Sequence, residues 1–130
     1  MLPQGRLPLE FRDRTKKYAS TVIRLFVRLP KGNEEARILG KQLLRSGTSV
    51  AAHVREASRA RSDAEFVSKM GGAIQEADES LLWLELLRED CGVQSAFTQP
   101  LEAESSELIA ILTTMVKKTQ RKAEIGKAES

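Results

Sequence analysis

Apolar side chains recur along this chain at steps of three and four residues, the period that gathers them on one side of an α-helix. Tyr18, Val22, Leu25, Phe26 and Leu29 keep that rhythm until Pro30, Gly32 and Asn33 break it, which predicts a first helix over about 10–29. Asn33 is a suitable cap for a second helix over about 34–60, whose seam runs through Leu39, Leu43, Gly47, Val50, Val54 and Ala57. Glu34 and Glu35 place negative charge on its first turn. Ser62 and Glu65 have the spacing of a capping box, in which the Glu reaches back to the cap amide. They open a third helix over about 63–91, with Phe66, Met70, Ala73, Ala77, Leu81, Leu84 and Cys91 inward and Gly92 as its stop. A loop over 92–99 then leads to Pro100, a residue favoured at the start of a helix. The fourth helix, about 99–123, turns Leu101, Leu108, Leu112 and Met115 inward, and Lys117, Lys118, Arg121 and Lys122 complement its C-terminal dipole. Residues 125–130 read as a frayed polar tail.

Four helices joined by short connections pack most simply as an all-α, antiparallel up-down-up-down bundle in a single domain. An extended helical hairpin that completes its core only on dimerisation is the alternative. No strand alternation and no internal repeat is visible. Gly40 and Gly47 lie seven residues apart on nearly one helix face, where each costs about 1 kcal/mol relative to Ala and points to close approach of a neighbouring helix.

Composition changes this picture little: 41% hydrophobic and 30% charged residues are ordinary for a globular domain. A chain of 130 residues has length enough for its own core. Cys91 is the single cysteine, so no internal disulfide and no cysteine-based zinc site can form. That suits a reducing cytoplasm, and neither an export signal nor a membrane-spanning apolar run is present.

Charge changes the picture more. The net +3 conceals 14 Lys/Arg against 5 Asp/Glu in residues 1–62, 2 against 11 in residues 63–107, and 5 against 2 in residues 108–130. One reading is a basic surface for an anionic partner such as RNA. The other is basic helices lying beside an acidic one, within a subunit or between subunits.

The second helix also carries a polar row, Gln42, Arg45, Ser49, His53 and Glu56, whose spacing keeps it on one narrow face beside the apolar seam. A structural reading makes this row a hydrogen-bond network, with Arg45 to Ser49 or His53 to Glu56 as local contacts. A functional reading makes it a ligand or RNA contact face. A di-iron bundle needs Glu-x-x-His on two helices, whereas His53 is the only histidine and stands in the reverse order with Glu56. No catalytic residue, metal, cofactor or small-molecule substrate is therefore assigned. Gly71-Gly72 lacks the strand and the lysine of a phosphate loop and reads as tight packing or a kink. Trp83, beside the main seam, reads equally as core or as an anchor between subunits.

The run from Gln42 to Ala57, followed by Ser62-Asp63-Ala64-Glu65-Phe66 and by the stretch around Trp83-Leu84, resembles the bacterial 23S-rRNA-intervening-sequence four-helix-bundle family. The family pattern falls on Gln42, Leu43, Arg45, Ser49, Val50, His53, Glu56 and Ala57, with His53 where the family usually has Asn. Members look like cyclic homopentamers, and a relative, the accessory variability determinant of diversity-generating retroelements, uses a basic pentamer to associate with a reverse transcriptase and nucleic acid. The resemblance thus implies a ring-forming, non-enzymatic bundle whose partners are further copies of itself and nucleic acid. Arg37, Lys41, Arg45, Arg55 and Arg59 are the candidate nucleic-acid or interface residues. The competing expectation is a protein assembly module, without nucleic acid, whose acidic and basic helices pair across subunits.

Overall fold

The computed structural model describes residues 5–129, and among them only helix, turn and loop occur. Four helices follow one another: α1 Leu9–Arg28, α2 Glu34–Ser58, α3 Asp63–Asp90 and α4 Ser95–Glu129. Each packs on its neighbours in the chain, α4 closes the ring against α1, and the diagonal backbones stay apart among the described residues. The arrangement is a four-helix bundle with up-down-up-down connectivity, and the hairpin alternative is set aside because one core joins all four helices.

Local chemistry explains most of the boundaries. The Asn33 side chain accepts from the Ala36 amide at 3.1 Å, while its Nδ2 donates to the Cys91 carbonyl at 2.9 Å and so ties two turns together. Ser62 accepts from the Glu65 amide at 3.1 Å. The Glu65 carboxylate reaches the Arg61 amide at 3.4 Å, one residue before the cap amide that the capping-box spacing predicts. Gly92 has a φ of 71°, the left-handed conformation that a side chain would resist, and it stops α3 where expected.

The start of α4 departs from the sequence reading. It begins at Ser95, four residues before the predicted Gln99, and Pro100 lies inside it. Thr98 and Leu101 are both buried there, so tertiary packing sets the boundary rather than the proline. The other end departs too: α4 continues through 125–129, which a polar composition had marked as a frayed tail.

The core holds Val22, Leu43, Val50, Val54, Met70, Leu84, Leu87, Leu108 and Leu112, all fully enclosed. Leu87 and Ser80 take the inward places in α3 that spacing gave to Leu81 and Cys91, which are half-buried. Gly40 and Gly47 do permit a close approach, by α1: a Cβ on Gly47 would stand 2.9 Å from Val22 Cγ2, and one on Gly40 would overlap Leu29. Through the middle of the apolar core passes a set of buried hydroxyls. Ser46 and Ser80 share a hydrogen bond of 2.7 Å, and Tyr18 and Ser105 one of 2.6 Å. Ser105 accepts from Tyr18 and donates to the Leu101 carbonyl, and in the Ser46–Ser80 pair one hydroxyl donates to the other, which donates to a carbonyl of its own helix, so none is left unsatisfied.

Candidate nucleic-acid interface

The antiparallel register of α2 against α3 decides what the polar row does. Arg45 reaches across to Glu76 and Glu79, each at 3.1 Å. Glu56 meets Lys69 at 2.9 Å, and that ammonium holds the Glu56 carboxyl below its usual range while the carboxylate raises the Lys69 ammonium. His53 lies over Gly72, where an added Cβ would come within 2.9 Å of the imidazole ring. The row is therefore largely an interhelical seam. Its contacts run across to α3, not along α2 from Arg45 to Ser49 or from His53 to Glu56 as local spacing had suggested. Gly72 is the clearance for the histidine. His53 Nδ1 is buried with no hydrogen-bond partner among the described residues. Gln42 is exposed and Ser49 half-buried. Trp83 is half-buried against the core, its Nε1 likewise without a partner.

The five candidate cations separate. Arg45 is committed to the two glutamates. Arg37 stacks its guanidinium 4.8 Å from the Phe26 ring centre, and Lys41 is exposed one turn further along. Arg55 and Arg59 sit some 20 Å away along the α2 axis, and there the structure adds cations that spacing along one helix could not supply.

These residues line a groove of about 820 Å³ over the C-terminal half of α2. Arg12 and Lys16 enter it from α1, Arg61 from the α2–α3 turn and Lys69 from α3, over a floor of Ala51 and Ala52. Two acids, Glu56 and Glu65, also line it. Glu56 is taken up by Lys69, and Glu65 faces the Arg61 amide. Among the described residues, Arg12, Lys16, Arg55, Arg59 and Arg61 have no carboxylate within ion-pairing distance, and Arg12 Nε is buried without a hydrogen-bond partner. Arg14 and Arg88, by contrast, are paired in good geometry. Arg14 grips Glu104 at 2.7 and 2.8 Å, and Arg88 grips Glu102 through two contacts of 3.0 Å. Five unneutralised cations around one concavity give it a positive potential, the electrostatic setting in which phosphate contacts release condensed counterions. Among the described residues, no three His, Cys, Asp or Glu side chains gather as a metal ion would require, and no helix is long and apolar enough to cross a membrane.

The family described as 23S rRNA-intervening sequence protein matches residues 8–114, from the start of α1 to well along α4. The chain belongs to that family. Among solved structures, it is similar to a Bacteroides thetaiotaomicron protein of the S23 ribosomal protein family, described as having unknown function. The two are 32% identical, with a TM-score of 0.75, and the similarity covers 82% of this chain and 97% of that one. No curated protein matches the chain. The family match thus spans both sides of the groove, Arg12 and Lys16 as well as Arg55 to Lys69, and stops before the last lysines of α4.

Proposed function

We propose that this protein is a non-enzymatic, homo-oligomeric scaffold of the cytoplasm that holds RNA by its phosphate backbone, with the α2 groove as the contact. The observation that carries this reading is the set of five cations at one concavity that no carboxylate of the described chain neutralises. Ring assembly, pentameric as the family resemblance implies, accounts for apolar side chains left on the surface: Ile23 is 44% exposed, Val27 74%, Ile38 54% and Leu82 49%. Those same residues favour the second reading, an assembly module without nucleic acid.

The deciding experiment measures fluorescence anisotropy of a labelled short RNA at several salt concentrations. Binding is expected to weaken linearly in log–log form, and Arg55→Gln with Arg59→Gln to reduce the slope by about 0.7–0.9 per lost phosphate contact. Absence of binding at low salt overturns the RNA reading and leaves the assembly module. Light scattering tests the assembly separately: a mass near five chains is expected, and a mass of one 14.5 kDa chain rejects it.

A further inference from the structure

We infer that α4 supplies a second phosphate-contacting surface, the exposed cluster Lys117, Lys118, Arg121 and Lys122, so that the nucleic acid is held by the α2 groove and by this arm together. The inference rests on the RNA reading above and extends it to a part of the molecule that the family match does not reach.

Length comes first. α4 has 35 residues and α1 has 20, on the order of 52 and 30 Å. The two helices are aligned at one end, where the Arg28 guanidinium lies 5.5 Å from the Phe97 ring centre. Tyr18 to Ser105 and Arg14 to Glu104 continue that antiparallel register. The last turns of α4 therefore run past the start of α1. Beyond Thr119 every described side chain is exposed except Ala123, which is half-buried. This projecting segment lies at the end of the bundle that holds the α2–α3 turn, and thus at the same end as Arg59 and Arg61.

Charge comes second. The four cations have no carboxylate within ion-pairing distance among the described residues. Because α4 continues to Glu129, they stand two to three turns before its end, whereas dipole compensation fades within the last turn. The role that sequence spacing gave them is removed. Lys117 with Arg121 and Lys118 with Lys122 are like-charged pairs four residues apart, each unfavourable by a few tenths of a kcal/mol. A polyanion laid along the arm relieves both repulsions.

Chemistry sets the class of ligand. No aromatic side chain lines the groove, and none occurs from Val116 to Glu129. Bases have no stacking surface at either place, so recognition is by phosphate and independent of sequence.

The test uses the full chain and labelled single-stranded RNAs of mixed and of homopolymer sequence, titrated across salt. Replacing Lys117, Lys118, Arg121 and Lys122 by Gln is expected to lower the log–log slope by about 2–3 with the melting temperature unchanged or slightly raised, since both like-charge repulsions are removed. Lys117→Arg with Lys118→Arg and Lys122→Arg is expected to keep the wild-type slope. The two RNAs are expected to bind within about threefold of each other. An unchanged slope in the Gln variant, while Arg55→Gln and Arg59→Gln lower theirs, overturns the second surface and leaves the RNA reading standing. A fall in melting temperature shows that the cluster holds the fold and overturns it as well. Strong preference for one RNA sequence overturns recognition by phosphate alone, and failure of the wild-type protein to bind either RNA removes the RNA reading itself.

Discussion

Glycine serves different purposes at different places in this bundle, and the differences are measurable. Gly47 abuts the branched side chain of Val22, and a Cβ there would stand 2.9–3.2 Å from three of its carbons. Gly47→Ala is expected to destabilise by about 1–3 kcal/mol through overpacking. Gly71 has open space around it, so Gly71→Ala is expected to stabilise by up to about 1 kcal/mol through helix propensity. Urea denaturation of both variants checks the contrast, and equal effects would contradict the packing. Tyr18 gives a pH signature. Burial pushes its phenol above the ordinary range, and the hydroxyls of Ser105 and Ser80 oppose that shift. A raised folded-state pKa means the stabilisation is complete below about pH 10, the unfolded value, and is lost as pH climbs through the folded value. Tyr18→Phe is expected to flatten the alkaline limb of melting temperature against pH, and an identical limb in the variant would show that Tyr18 is not its source.

At the scale of the helices, period alone made the bundle legible. Tyr18 to Leu29, Leu43 to Ala57 and Phe66 to Leu84 are apolar on one face, and Asn33, Ser62 and Gly92 punctuate them with side-chain or backbone geometry that needs no tertiary partner. The errors lie where partners matter. Pro100 resembles a helix start because a missing amide is harmless there, yet buried Thr98 and Leu101 draw the helix back to Ser95. Pro100 thus costs α4 the backbone hydrogen bond to Ala96, and Pro100→Ala is expected to raise the melting temperature. A fall would mean that its ring packing outweighs that bond. The groove was half legible for a related reason. Arg55 and Arg59 share one helix face and could be chosen from spacing, whereas Arg12, Lys16 and Lys69 belong to other helices and meet them only through the interhelical register. Arg45 looked equivalent to them because its partners Glu76 and Glu79 lie more than thirty residues on.

For the molecule as a whole, folding rearranges the charge stripes into a difference between two ends. The end holding residues 5–18, 49–76 and 113–129 carries 14 Lys/Arg and 8 Asp/Glu, and the end holding 19–48 and 77–112 carries 7 and 10. The acidic middle of the sequence therefore does not cancel the basic flanks. Much of it lies at the far end, where Arg88 engages Glu102, although Arg14 of the basic end reaches Glu104. On the proposed RNA reading, a polyanion at the basic end is expected to neutralise excess charge and to stabilise the fold, since the unfolded chain has no equivalent concavity to offer it. At a free RNA concentration one hundred times the Kd the linkage contributes about 2.7 kcal/mol, which for a chain of this size is a rise in melting temperature on the order of 10 °C. Salt has to abolish the rise, because phosphate contacts act through counterion release. A monomeric nucleotide at the same phosphate concentration has to produce far less, since only a chain of phosphates spans several cations at once. A comparable shift from the mononucleotide would place the effect in a single anion site and not in the length of the basic end.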